Sequence, residues 1–309
     1  CTCGGLWKLE ADLPAFDLSG VDTHEWSLFR YRKFMALEDE SWRAVTMGEG
    51  MTPVVRLDED VLLKMDYFMP TLSFKDRGAA TLIAHCKSIG VQQVVQDSSG
   101  NAGNAVAAYC ARSGIGCEIF VPEGTSPKKI DMIRAHGAMC TVVPGTRDHC
   151  ADVCREKVER EGVYYANHVY NPFFYEGTKT YIYEVFEQLG RIPANLVIPV
   201  GNGTLFLGAM YALEHLFNSG VIDRFPQIIA LQSQNCDPLL RAAEHGKTEP
   251  EAVMPAPTIA EGIAIGKPMR GREILTLAEK HGVHFIHAPE EQILSARATL
   301  AKKGIYCEH

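Results

Sequence analysis

A two-lobed α/β fold, each lobe an open, mostly parallel sheet flanked by helices, is the fold class this sequence predicts. Short apolar runs alternate with helical stretches from residue 91 onward, and glycine-rich turns join several of the strands to the helices that follow. The length, 309 residues, suffices for two cores. Residues 1–84 with 171–309 are expected to form the larger lobe, and residues 85–170 a smaller, mobile one.

The elements follow in order. VQQVVQ (91–96) reads as a strand and NAGNAVAAYCARSG (101–114) as a helix closed by Gly114. CEIFVP (117–122) is a strand; PKKIDMIRAHG (127–137) is a helix with proline at its start and glycine at its end. MCTVVPG (139–145) predicts a strand, DHCADVCREKVEREG (148–162) a helix and VYYAN (163–167) a strand. The alternation returns with a helix over 175–190, a strand over 195–200 and a helix over 204–217. A strand at 227–232, a helix at 271–282, a strand at 284–288 and a last helix at 289–304 complete it. In such sheets ligands bind beyond the carboxyl ends of the strands.

Composition narrows the function classes. A net charge of −8 without basic tracts argues against nucleic acid or an anionic membrane as a partner. Residues 192–213 carry no charge, but Pro199 and Gly201–Thr204 interrupt them, giving strand, turn and helix rather than a membrane span. The ten cysteines are scattered singly and form no disulfide framework, which suits a reducing, cytoplasmic setting. Cys1 and Cys3 have the spacing of a metal-knuckle remnant, but no second Cys pair follows, so no metal ligands are assigned. Cys150 and Cys154, one turn apart, read as two buried thiols. The start at Cys1 rather than methionine leaves room for a preceding segment.

Three loops carry the candidate chemistry. In TLSFKDRGAA (71–80), Ser73 and Asp76 have capping-box spacing, which predicts a helix from about residue 74 with Lys75 in its first turn. The positive end of the helix dipole there lowers a lysine pKa, and a neutral amine is what forms a Schiff base. Taken alone, the same spacing also describes a solvated lysine. DSSGNAGNA (97–105) opens a helix directly after a strand, and its hydroxyls and amides make a nest for an anion or a flexible turn with a serine cap. PVGNGTLFLG (199–208) can surround a phosphate with backbone N–H groups and the Thr204 hydroxyl. It lacks the lysine of a nucleotide-hydrolase loop, and Phe206 stands where a dinucleotide motif has its third glycine. A lysine for an aldehyde, a phosphate cradle and a carboxylate nest together match pyridoxal phosphate with an amino-acid substrate.

SFKDRG (73–78), SSGNAGNA (98–105) and GNGT (201–204) resemble the pyridoxal-phosphate enzymes of the tryptophan-synthase-β fold, fold type II. Pro70–Gly78 and Asn171–Thr180 are similar to two patterns of the threonine synthase branch, and CGG (3–5) and GEGMTP (48–53) share its style. The resemblance spans the chain. It implies a lyase in which Lys75 holds pyridoxal 5′-phosphate through a Schiff base and then acts as the base at the substrate α-carbon. It implies that Asn101 meets the cofactor's ring oxygen, that Gly201, Asn202, Gly203 and Thr204 hold its phosphate, and that Ser98, Ser99, Asn101 and Ala102 hold the substrate carboxylate. A homodimer is a further implication.

Departures from the family pattern bear on the substrate. Phe174 stands where threonine synthases usually place an arginine for the substrate phosphate, which puts O-phosphohomoserine in doubt. On that placement, Phe174→Arg is expected to improve handling of a phosphorylated substrate. Leu72 and Met69 replace the usual glycine and asparagine, predicting a more apolar pocket wall. TIAEGIAIGKP (258–268) resembles a serine/threonine dehydratase segment, with Glu261 in place of aspartate. The serine or threonine that the family sets opposite the ring nitrogen follows a pattern here matched by Gly304–Glu308, so it falls past His309. β- or γ-elimination or replacement on a small amino acid is the leading expectation, with dehydratase or diamino-acid ammonia-lyase activity as the alternative within it. A nucleotide-dependent oxidoreductase and a non-catalytic amino-acid sensor are the competing classes.

Overall fold

The computed structural model describes residues 6–37 and 39–308; Cys1, Cys3, the CGG stretch and His309 lie outside the described residues. In chain order the strands and helices begin with β1 (Val54–Arg56), β2 (Leu62–Lys64), α1 (Lys75–Ser88), β3 (Gln93–Gln96) and α2 (Asn101–Ser113). Then come β4 (Gly116–Pro122), α3 (Pro127–Ala135), β5 (Met139–Val143), α4 (Arg147–Glu161), β6 (Tyr164–Tyr165), α5 (Phe173–Thr178) and α6 (Thr180–Leu189). The rest are β7 (Asn195–Pro199), α7 (Thr204–Asn218), β8 (Gln227–Ser233), α8 (Pro238–Glu244), α9 (Gly271–His281), β9 (His284–Ala288) and α10 (Glu290–Lys302).

By its contacts the chain divides into two units: Cys1–Pro14, Leu18–Pro53 and Met65–Tyr181 in the first, Ala15–Asp17, Val54–Lys64 and Ile182–His309 in the second. These bounds run differently from the lobes read from sequence at 1–84 plus 171–309 and 85–170.

The first unit holds a parallel sheet in the order β5-β4-β3-β6. Its apolar strand residues are covered by helices. Cys150 and Cys154 of α4 are buried against Val95, Phe120 and Val143, so the pair is core packing, as its helical spacing predicts. On the other side Ala107 of α2 and Ile133 of α3 pack with Ile119 and Val121. Because β4 flanks β3 on one side and β6 on the other, the strand order reverses at β3. The loops after β3 and β6 therefore leave from a topological switch point, the customary place for a ligand crevice. The second unit has the parallel sheet β7-β8-β9 and the antiparallel pair β1-β2.

Glycine and proline punctuate the helices as the sequence implies. Gly114, Gly162 and Gly282 close α2, α4 and α9 with φ of 73°, 66° and 63°, where a side chain would be strained. Pro127 opens α3. The helix read over 175–190 is broken at Lys179, whose ammonium turns back to Glu176 at 2.9 and 2.8 Å. The β1-β2 pair and α8, three residues per strand and seven in the helix, are too short to show a period. Residues 192–213 form β7, a turn and most of α7, and among the described residues no helix is long and apolar enough to cross a membrane.

Candidate active site

Lys75 begins α1, and the turn before it is held by side chains. Asp76 does not cap Ser73 as the spacing suggested. Its carboxylate accepts the Thr71 N–H at 2.7 Å and the Thr71 hydroxyl, while Ser73 Oγ accepts the Lys75 N–H at 3.3 Å. Thr71 outcompetes Ser73 because the chain folds back over the helix start. At the bend Leu72 has φ of 61°, a left-handed conformation that glycine adopts freely. The Leu72 side chain is 76 % exposed, so it does not form the apolar wall expected of it. Leu72→Gly is expected to raise stability by up to ~1 kcal/mol, read by urea unfolding, since relief of the left-handed strain is partly offset by a freer unfolded chain.

Arg77, fully buried, anchors the same turn. Its guanidinium donates to Asp66 Oδ2 at 2.9 Å and Oδ1 at 2.6 Å, to Thr180 Oγ1 at 3.0 Å and to Thr52 Oγ1 at 3.3 Å. The glycines of the two lysine-side motifs serve close packing. A Cβ on Gly78 would overlap the Phe174 ring, and one on Gly177 would overlap the Arg77 carbonyl. These positions let α1 and α5 lie backbone to backbone. Glu49 of GEGMTP is buried and accepts from Met47 N at 2.8 Å and from the hydroxyls of Thr46 at 3.0 Å and Tyr109 at 3.1 Å. Burial pushes its carboxyl up to about 7.

Lys75 is half-buried, and its amine lies 4.4 Å from the centre of the Phe74 ring and 6.0 Å from that of Phe174. Burial lowers the amine from 10.5 to about 7. The direction is the one the helix terminus implies, but desolvation is its cause. Two phenyl faces favour the ammonium by a fraction of that cost.

The loop after β3 shares the first unit with Lys75. Gly100 N-caps α2 without a side-chain bond, and a helix N-terminus of this kind suits an anion. Ser98 is buried, and its hydroxyl accepts the Gly100 N–H at 3.4 Å. A Cβ on Gly103 would overlap the Ser98 carbonyl oxygen. Gly103→Ala is therefore expected to displace residues 98–102 and to cut activity at least ~100-fold, a loss that steady-state kinetics would read.

Gly201–Thr204 belongs to the second unit. Gly203 caps α7 with φ of 80° and no side-chain bond; a Cβ there would overlap Ile274, and one on Gly201 would come 3.0 Å from Ile263 Cα. The 261–265 turn, with Glu261, thus packs against the glycine loop of its own unit. A turn that needs glycine at 201 and 203, set at a helix N-terminus, fits a phosphate, and a half-buried, near-neutral lysine amine fits an aldehyde. Among the described residues no group of three or more His, Cys, Asp and Glu side chains could hold a metal ion.

Three features escaped the sequence. Phe174 of α5 is 0 % exposed, with its ring packed on Gly78 of α1. The expectation that Phe174→Arg would improve phosphate handling is thereby corrected, because a guanidinium there would replace buried packing. Thr71 is a letter of the lysine motif, but nothing in the spacing marks it as the partner of Asp76. His168, buried beside Phe174 with ring centres 5.8 Å apart, gives only a lone histidine three residues ahead of Asn171, and nothing in the spacing marks it.

The chain matches the family model for pyridoxal-phosphate dependent enzymes over residues 45–309. It is 29 % identical to a threonine synthase of Methanocaldococcus jannaschii, over all of this chain and 79 % of that protein. It is 31 % identical to one of Halalkalibacterium halodurans, over 91 % of this chain and 79 % of the relative. The processed threonine deaminase isoform 2 of Solanum lycopersicum has the same fold, with a TM-score of 0.73 at 21 % identity over 98 % of this chain and 85 % of that one. A parallel α/β fold, a half-buried lysine in SFKDRG and a family match across most of the chain lead to one conclusion: this protein belongs to the pyridoxal-phosphate dependent enzymes, as a lyase of the fold type II, threonine synthase-like group.

Proposed function

We propose that the protein abstracts the α-proton of a small amino acid and then eliminates or replaces its β or γ substituent, with Lys75 as the base. The Lys75 amine, lowered to about 7, is the observation that carries this reading. At that value a large share of the amine is neutral near pH 7, the form that bonds an aldehyde and takes a proton. Gly201, Asn202, Gly203 and Thr204 would hold the cofactor phosphate, and Asn101 would bind at its ring. Ser98, Ser99, Asn101 and Ala102 hold the substrate carboxylate. Pyridoxal phosphate, when bound, supplies the electron sink for charge at the α-carbon. The α2 amides orient the substrate, and Arg77 with Asp66 keeps the first turn of α1 from moving under it. Residues 85–170 move as the smaller lobe, a role supported by a sheet drawn wholly from that segment. A cytoplasmic homodimer completes the proposal.

A second reading is favoured by Phe174. Without the arginine, dehydratase or ammonia-lyase chemistry on an unphosphorylated amino acid fits better than threonine synthesis from a phosphate ester. The test is exchange of the α-hydrogen in D2O, followed by proton NMR, for serine, threonine, diaminopropionate and O-phosphohomoserine with the cofactor-loaded protein. Exchange of at least one of them, lost without cofactor, is expected. Exchange of none contradicts the proposal.

A further inference from the structure

His168 is 5 % exposed, and its Nδ1 is buried without a hydrogen-bond partner. Such an orphan is costly unless a ligand supplies the missing bond. The loop does not need the imidazole to hold its shape. Asn167 Oδ1 accepts the N–H groups of Val169 at 2.8 Å and Tyr170 at 3.1 Å, and its amide donates to Asp97 Oδ1 at 2.8 Å. Asn171 Oδ1 accepts the Phe173 N–H at 3.0 Å, and its amide donates to the Tyr164 hydroxyl at 2.7 Å. The histidine is held by this frame rather than being part of it.

The frame sets His168 at a telling place. It follows β6 at the switch point of the sheet, and Asp97, bonded to Asn167 and to the Tyr165 hydroxyl at 2.8 Å, begins the loop after β3. The imidazole meets Phe174 edge-on at 5.8 Å, and the Lys75 amine lies 6.0 Å from the centre of that same phenyl ring. Lysine, phenyl ring and orphaned imidazole belong to one neighbourhood.

We propose that His168 recognises the departing substituent of the amino-acid substrate through a hydrogen bond to an uncharged hydroxyl, selecting hydroxy-amino acids over phosphate esters. This rests on the Lys75 reading above. A neutral imidazole offers one donor and one acceptor, the complement of a hydroxyl. Burial first, then the charges of Lys75 and Arg147, hold its pKa well below the ordinary value, so the ring is neutral at pH 7. A phosphate dianion would meet at most one neutral N–H donor in this ring, with no charge to balance its own, and Phe174 supplies no guanidinium in its place. His168 transfers no proton in this account.

The test compares cofactor-loaded wild type, His168→Leu and His168→Asn on L-serine, L-threonine and O-phosphohomoserine. Wild type is expected to prefer a hydroxy-amino acid. His168→Leu should keep the Lys75 Schiff-base absorption but lose about 10–30-fold in kcat/KM for that substrate, mainly through KM. His168→Asn, which can still hydrogen-bond, should recover most of the loss. Should the leucine variant not fold, 13C NMR of histidine-labelled wild type decides, because the His168 resonance, assigned by its absence from His168→Asn, should move when L-serine is added. Unchanged kcat/KM in His168→Leu, a wild-type preference for the phosphate ester, or a resonance indifferent to L-serine each overturns the assignment. Loaded wild type with neither Schiff-base absorption nor α-hydrogen exchange sinks the Lys75 reading instead.

Discussion

Lys75→Ala is expected to abolish both the Schiff-base absorption and turnover, with at least a ~1000-fold loss in kcat. No other described lysine combines the first turn of a helix, two phenyl rings within 6.0 Å and an amine lowered to about 7. The variant should fold. Its missing amine is a group whose charged form the fold penalises, and Asp76 and Arg77 hold the turn without it. The same lowering predicts a pH dependence. In the cofactor-free protein, Schiff-base formation on Lys75 should rise with pH and reach half its maximum near pH 7, read by stopped-flow absorbance, whereas an ordinary lysine would do so near 10.5. The sign for stability is the same. Between pH 7 and 10.5 the unfolded chain binds more protons at Lys75 than the folded one, so this residue's contribution becomes less unfavourable as pH rises.

Phe174→Arg is expected to destabilise the protein by at least ~3–5 kcal/mol, seen as a lowered Tm, and to gain no activity on O-phosphohomoserine. The phenyl ring is 0 % exposed and presses on Gly78, where even a methyl group would not fit. An arginine would lose that packing and bury a charge beside the amine of Lys75. A stable variant that turns over the phosphate ester would show that the α1–α5 contact opens toward substrate after all.

The sequence carries this fold at the level of strand and helix because its strands are Val- and Ile-rich and its helices end in glycine. Gly114, Gly162 and Gly282 mark their boundaries to within a residue. Lys75 was legible because its neighbours form a motif; the reason for the motif was not. Asp76 looked like the partner of Ser73, but the bend at Leu72 brings Thr71 to it, and a φ of 61° leaves no trace in the spacing when the residue is leucine. Gly78 and Gly177 are motif letters until α1 and α5 are seen to touch. Phe174 could be located near the lysine but not recognised as core. His168 has no signature, since an orphaned nitrogen is a property of what surrounds it.

The most direct measurement is to load the protein with pyridoxal phosphate, reduce it with borohydride and map the modified lysine by peptide mass spectrometry. The account predicts one stoichiometric adduct on Lys75, absent from Lys75→Ala. An adduct on another lysine, or none with cofactor bound, would contradict it.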